Sequence, residues 1–441
     1  MKLARYRVGL ASLLFIAGVI NYMDRAALGV AAPFVQKDLR LSSSQLGLVF
    51  STFFIGYAIS AFVGGQFADR YGPRRVYTWA ATSWSLLCAL TGAVTGFGQL
   101  FIVRSFFGFA EGPMCSTTNR MITNWFPRRE TARAIGSVFS GQTVGSAVAA
   151  PIIGLLALNF GWRVAFIAVS LSGLLWVVLW RVFATDLPRE NPRVSKAEIE
   201  LIAADRTGLS DMAGARSTPL LTYLLRPSTL SLGLGLFAMN YSIYIFISWL
   251  PSYLVTSLHL AVRQMSFIAA IPWIFGIIGY LGGGMISDLA YPQHWGPLTA
   301  RKLMTVVPLA LAAIALIGVI FAPNAVCAVA LIAIAVMLLT SSIQSLWATI
   351  HELVPETHVG GVSGFIHMLS NISGIIGPAA TGFAIQYFGG YNSAFAIAAT
   401  LAIIGSIAMA LFVKKPESTI ESGSSTVAPA AEPVHPIVES I

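Results

Sequence analysis

Charged residues are scarce in this chain: Asp, Glu, Lys and Arg make up 10% of 441 residues, against 56% hydrophobic ones. Soluble domains carry about 25% charge, so the composition excludes an ordinary soluble fold and points to a polytopic membrane protein. Cysteine is rarer still. Cys88, Cys115 and Cys327 lie within apolar runs, without disulfide or metal spacing, and read as small packing residues with no chemistry of their own. A nucleophile–base pair is also missing. The histidines nearest to acids, His351 and His358 with Glu352 and Glu356, share one loop, so no enzyme and no cofactor are expected. The excess of bases, a formal net charge of +9, falls in blocks between apolar runs rather than along one face. That is the pattern of a topology signal and not of a nucleic-acid partner.

What is present is a series of apolar runs long enough to cross a bilayer at about 1.5 Å per residue. They predict an all-α membrane protein of twelve spans, over 8–35, 44–68, 76–95, 98–120, 131–158, 163–185, 228–257, 264–287, 302–321, 324–350, 360–387 and 392–413. The N-terminal run follows Lys2, Arg5 and Arg7 but has no small-residue cleavage site, and is expected to stay as the first span. Of the 27 Lys and Arg, only Lys37, Arg40, Arg163 and Arg263 fall on the side away from the termini, and only Arg25 and Arg104 within spans. The positive-inside rule then places both termini in the cytoplasm of a cell whose inner membrane the chain spans. The loop from His351 to His358 departs from the rule by being acidic. The expected organisation is a six-helix bundle over 1–185, a cytoplasmic linker over 186–227, a second six-helix bundle over 228–414 and a disordered tail over 415–441. Within the linker, Ser195 followed by Glu198 predicts a capped amphipathic helix to about Asp205, lying at the membrane surface.

The two bundles read as repeats. Span two ends in Gly65-Gln-Phe-Ala-Asp69-Arg70-Tyr71-Gly72-Pro73-Arg74-Arg75, and span eight ends in Gly284-Met-Ile-Ser-Asp288. Pro151 and Gly154 in span five correspond to Pro378 and Gly382 in span eleven. Parallel halves around a midplane site suit an alternating-access carrier. The loop after span two resembles the signature of the major facilitator superfamily. That resemblance implies a cytoplasmic gate built from Gly65, Asp69, Arg70, Gly72, Arg74, Arg75 and Asp288.

Four charges stand inside spans. Asn21-Tyr22-Met23-Asp24-Arg25 interrupts span one, and span four carries Arg104, Gly108 and Glu111 at i, i+4 and i+7, hence on one face. A charge at mid-membrane depth costs roughly 2.5–3.5 kcal/mol on insertion scales and normally faces a protein interior or a water-filled cavity. Neighbouring helix positions point about 100° apart, so Asn21 and Arg25 share a face while Asp24 looks sideways. This suggests one residue for the substrate and one for the coupling ion. A buried Arg usually takes an acid partner, so a structural ion pair is the alternative to a substrate role for Arg104. The planar fork of Arg suits a carboxylate, which makes the substrate an organic anion.

The chain also resembles the anion:cation symporter branch of that superfamily, whose members carry sugar acids and related carboxylates. The matching pieces are Tyr22-Met-Asp24-Arg25, Tyr57, Arg104 to Glu111 with Asn119-Arg120-Met121 and Trp125-Phe126-Pro127, Gly141-Gln142, and Trp249-Leu250-Pro251-Ser252-Tyr253. The resemblance implies proton coupling by Asp24 and Glu111, and substrate contact by Arg25, Tyr22, Tyr57 and Gln142. Arg104 joins the substrate set, as do polar and aromatic groups of the second half: Asn240, Gln344, Trp347, His367 and Asn371. Gly364 and Gly374, on the same face of span eleven as His367 and Asn371, read as close-packing positions. Two departures from the sugar-acid carriers stand out: Leu236 near the place of a usual glutamine, and His367 where an asparagine is common. The expectation is a monomeric carrier that imports an organic anion, a sugar acid or other carboxylate, with protons, sodium being the alternative coupling ion. A drug or metabolite efflux pump of the same fold is the rival, and a membrane-embedded enzyme a remote one.

Overall fold

A computed structural model describes residues 6–204, 219–290, 297–354, 356–388 and 390–414, so the expected tail over 415–441 lies outside the described residues. The first half comprises α1 (Tyr6–Asp38), α2 (Ser43–Tyr71), α3 (Pro73–Thr91), α4 (Phe97–Glu111), α5 (Met114–Trp125), α6 (Arg128–Phe160) and α7 (Trp162–Phe183). The connector carries α8 (Lys196–Ala204) and α9 (Leu220–Leu224). The second half comprises α10 (Pro227–Thr256), α11 (Val262–Ile268), α12 (Ile271–Ala290), α13 (Pro297–Ile320), α14 (Ala325–Leu353), α15 (Glu356–Tyr387) and α16 (Tyr391–Phe412).

These are the twelve predicted spans with two of them divided. The fourth is interrupted at Gly112-Pro113 and the eighth just before Pro272, since a proline cannot donate its backbone hydrogen bond to the turn before it. Among the described residues, ten helices are long and apolar enough to cross a membrane by length and composition; α3 and the divided α4–α5 fall short of that measure. Local chemistry sets the ends. Ser42 and Gln45 cap α2 reciprocally, Asn324 caps α14, and Gly72, Gly161 and Gly390 turn the chain at positive φ.

The packing repeats between halves. In the first half α1 packs on α6, α2 on α4 and α3 on α7; in the second, α10 packs on α15, α12 on α14 and α13 on α16. The halves meet by the same exchange, α2 against α15 and α12 against α6. This is the twelve-helix, two-half architecture with pseudo-twofold symmetry.

Contacts between the halves concentrate on the side away from the termini. A Cβ on Gly47 would overlap Pro378, one on Gly29 would overlap Ile247, and one on Gly154 would overlap Ser266. Gln386 Oε1 accepts from the Ser44 backbone N–H at 3.1 Å, and Ser51 Oγ accepts from the Ala379 N–H at 3.0 Å. On the side of the termini, Gly136 of α6 and Gly364 of α15 have no neighbour within 4 Å of a built Cβ. The expectation of close packing therefore holds for Gly374, which lies against Phe54, and is corrected for Gly364, which faces open space because the halves diverge there.

The connector is tied to the first half. Ser195 Oγ accepts from the Glu198 N–H as the capping pattern predicts. The Glu198 carboxylate goes elsewhere: it is buried and accepts from the backbone N–H groups of Tyr6 and Arg7 at 3.1 and 3.2 Å, capping α1. Arg7 then reaches Glu130 of α6 at 3.2 Å. The α8 helix is thus docked on the N-terminus of α1. The acidic loop is likewise accounted for, with Glu352 paired to Arg301 of α13 at 3.0 Å and the His358 ring tilted against Tyr223 of α9, 4.9 Å between centroids.

Candidate functional site

The site begins with the approach of α2 to α4. Gly56 lies against Ser105 and Phe109, Gly108 against the Phe53 carbonyl, and Gly112 against Ser60 and the Tyr57 carbonyl, each so close that a Cβ would overlap. This glycine seam brings the rings of Phe53 and Tyr57 up to the charged face of α4. Arg25, entering from α1, meets Glu111 there. Its Nε and Nη2 both donate to Glu111 Oε2, at 3.3 and 2.9 Å. Both side chains are buried, Glu111 completely. Three rings enclose the guanidinium, with centroids at 4.7 Å (Tyr22), 4.8 Å (Phe53) and 4.8 Å (Tyr57). A cation so desolvated gains about 2 kcal/mol from a well-placed ring, and losing one partner of a buried ion pair costs about 3–5 kcal/mol.

Arg104 shares Phe53 with Arg25, its guanidinium lying 5.6 Å from that ring and 4.5 Å from Phe107. The alternative reading of Arg104, as half of a structural ion pair, finds no partner for it. Among the described residues no carboxylate lies within ion-pair distance of it, and its Nε and Nη1 have no hydrogen-bond partner. Asp24 faces away from Arg25, as its helix position predicts, toward α3. Cys88 Sγ donates to Asp24 Oδ1 at 3.5 Å, so the reading of Cys88 as a mere packing residue is corrected. Nothing in the sequence links these residues, which stand on two helices 64 positions apart. Asn21, Asp24 and Glu111 each keep at least one buried polar atom without a protein partner.

The second half contributes neutral groups. Tyr244 of α10 packs against Phe54 at 4.4 Å between ring centroids and lies within electrostatic reach of Arg25, Tyr22 and Tyr57. Its hydroxyl donates to Asn371 Oδ1 at 3.3 Å. Asn371 in turn contacts His367 Nδ1 at 2.9 Å, Asn240 donates to Ser370 Oγ at 3.2 Å, and Trp347 lies 6.2 Å from the His367 ring. The side chain of Gln344 lies outside the described residues. The backbone of Gln142 lies against Gly18, about 10 Å along α1 from Arg25 by helical rise. Leu236 is buried. Tyr244 is one of the polar and aromatic groups that the sequence places in span seven beside Asn240; Phe53 is a member of the site that the sequence does not single out, its one signal being its place a helical turn from Tyr57.

In the gate motif, Asp69 pairs with Arg120 of α5 at 3.2 Å, both well exposed. Arg70 lies over Tyr71, and Arg75 is exposed. Gly72 turns beside Asp186, whose Oδ1 accepts from the Arg74 N–H at 2.7 Å and so caps α3. Gly65 and Asp288 lie on α2 and α12, but their surroundings are outside the described residues. Among the described residues no group of three His, Cys, Asp or Glu could hold a metal ion.

Comparison with known proteins gives this geometry its context. The chain is 41% identical to the Hexuronate transporter of Bacillus subtilis (strain 168) over 403 residues, 91% of this chain and 93% of that one. It is 30% identical to the Probable galactarate/D-glucarate transporter GudP of Escherichia coli (strain K12) over 430 residues, 93% of this chain and 94% of that one. Among solved structures, a D-xylose-proton symporter superposes with a TM-score of 0.75 at 16% identity, covering 93% of this chain and 98% of the other. A bacterial homolog of the human lysosomal transporter Spinster superposes with a TM-score of 0.72 at 20% identity, over 93% and 97%. Both structural likenesses speak for the fold. The profile of the Major Facilitator Superfamily matches residues 14–378 and 295–438, and with it the twelve-helix packing and the relatives agree: this chain is a membrane transporter belonging to the Major Facilitator Superfamily.

Proposed function

We propose that this transporter imports a sugar acid, an organic anion held by its carboxylate, together with protons by alternating access across the inner membrane, with both termini in the cytoplasm. The observation that carries the reading is the buried pair of Arg25 and Glu111, 2.9 Å apart inside a wall of aromatic rings. The guanidinium fork that would grip a substrate carboxylate is occupied by the protein's own carboxylate. Substrate and Glu111 therefore compete for one cation. A proton on Glu111 removes its charge and frees the Arg25 fork, which then makes two parallel charge-assisted hydrogen bonds to the incoming anion. The site is neutral before and after, as Arg⁺ with Glu⁻ or as Arg⁺ with substrate⁻ and a protonated acid. That neutrality is what a charge group crossing a low-dielectric interior requires. Asp24 is the second proton-binding acid. The exposed Asp69–Arg120 pair and the contacts on the far side fit a carrier closed outside and open to the cytoplasm.

The names of the relatives, hexuronate and galactarate/D-glucarate transporters, support the sugar-acid class. The test is uptake of labelled D-glucuronate into proteoliposomes. Accumulation driven by an inward proton gradient without sodium supports the reading. Accumulation that needs sodium and ignores the proton gradient contradicts the proton part, and export of D-glucuronate against a gradient contradicts the direction.

A further inference from the structure

The wall facing Arg25 from the second half holds a hydrogen-bond chain whose donors and acceptors can be ordered atom by atom. Asn371 Nδ2 lies 3.0 Å from the His367 backbone oxygen. A carbonyl oxygen only accepts, so the atom facing it is the amide nitrogen, and the Asn371 side-chain orientation is fixed. Its second hydrogen points to His367 Nδ1 at 2.9 Å, which makes Nδ1 an acceptor. The neutral imidazole then carries its proton on Nε2. The other end of the amide, Oδ1, accepts the Tyr244 hydroxyl hydrogen at 3.3 Å, which leaves the Tyr244 oxygen with only lone pairs to offer. Ser370 Oγ, itself receiving from Asn240, donates to the same His367 carbonyl at 2.8 Å and steadies the turn.

The chain thus presents one donor, His367 Nε2–H, and one acceptor, Tyr244 Oη. No hydrogen bond from Nε2 to a protein group is found among the described residues, and the His367 side chain is only half-buried. Both groups lie on the seam between the halves. Tyr244 abuts Phe54 of the first half, and Gly364, on the face of α15 that carries His367, looks into open space. We propose that His367 donates to an oxygen of the substrate remote from its carboxylate, with Tyr244 accepting beside it, so that this wall selects hydroxylated acids over bare carboxylates. The inference rests on the reading that Arg25 holds the carboxylate.

The experiment is calorimetric titration of the full-length detergent-purified protein with D-glucuronate and with cyclohexanecarboxylate, a ring acid without hydroxyls. A lost hydrogen bond to a ligand is worth about fivefold to tenfold in affinity. His367→Leu, which keeps volume but no donor, is expected to weaken D-glucuronate by about that factor and to leave cyclohexanecarboxylate unchanged. His367→Gln, which keeps a donor near Nε2, is expected to stay within about twofold of the parent for both. Asn371→Leu, which frees the ring without altering it, should weaken D-glucuronate alone and reads the same hydrogen-bond chain through a second position. Undiminished D-glucuronate affinity in His367→Leu, or equal weakening of both acids, overturns the assignment. Binding of neither acid by the parent overturns the carboxylate reading and this inference together. Full affinity for both acids in Arg25→Ala overturns the carboxylate reading alone, leaving the comparison of His367 variants to stand by itself.

Discussion

Arg25 directs two donors, Nε and Nη2, at a single oxygen of Glu111, while the other oxygen, Oε1, is buried with no protein partner. The base is therefore not placed to wait for a substrate; it is already engaged by an acid. The proton of the proposed symport acts through that engagement, by releasing a cation, and the coupling lies in competition for one guanidinium.

Replacing the base tests what the pair holds together. Arg25→Ala leaves Glu111 buried without its counter-ion, which costs about 3–5 kcal/mol if the acid stays ionised. Binding of D-glucuronate is expected to be lost and the thermal midpoint to fall. Arg25→Lys keeps the charge but not the planar fork, so it should purify with near-parental stability and bind at least about tenfold more weakly. Calorimetry and a melting curve on the two variants check both statements; parental affinity in Arg25→Lys contradicts the two-bond grip.

Asp24 has Cys88 as its only hydrogen-bond partner and no base within ion-pair distance among the described residues. Asp24→Asn should fold, exchange labelled substrate across proteoliposome membranes, and fail to accumulate it under a proton gradient. Normal gradient-driven accumulation removes Asp24 from the coupling path.

The glycine seam makes a mechanical prediction. A methyl group at Gly108 would overlap the Phe53 backbone, and Phe53 is the ring that Arg25 and Arg104 share. Gly108→Ala is expected to cost about 1–3 kcal/mol by overpacking and to weaken substrate binding. Gly364→Ala, with open space around it, should change neither. Melting temperatures and affinities of the two variants decide; equal effects contradict the assigned packing.

The far-side closure can be locked. Ser44 and Gln386 meet at 3.1 Å across the halves. The double variant Ser44→Cys, Gln386→Cys should cross-link readily in the substrate-free protein and stop exchange, with reduction restoring it. A cross-link that forms yet leaves exchange intact means the halves need not separate there.

Much of this architecture is legible in the sequence because the bilayer imposes one strong rule: every backbone group must be satisfied within its own segment. Apolar length therefore marks the spans, including the two that proline divides, and the cost of intramembrane charge marks Asp24, Arg25, Arg104 and Glu111. The sideways direction of Asp24 follows from helix geometry alone. What stays hidden is the relative rotation and approach of helices. Whether Glu111 pairs with Arg25 or Arg104 depends on the α2–α4 seam at Gly56, Gly108 and Gly112, and no spacing within α4 reveals it. Resemblance puts Gln142 in the cavity, but only the packing of Gly141 and Gly145 against Phe15 and Val19 of α1 shows its level on α6. Glu198 shows the same limit: its capping pattern holds for α8, but its carboxylate serves α1 instead, nearly two hundred positions away.

If protonated Glu111 releases Arg25 for the anion, the pH dependence of substrate affinity shows it most directly. With Glu111 ionised, each unit of rising pH should weaken D-glucuronate binding, approaching about tenfold per unit, because the free fork becomes proportionally rarer. Glu111→Gln cannot hold the guanidinium with a charge, so its affinity should be high and its slope with pH should shrink to what Asp24 contributes. A Glu111→Gln protein whose affinity keeps the parental slope with pH would contradict the release of Arg25 by a proton on Glu111.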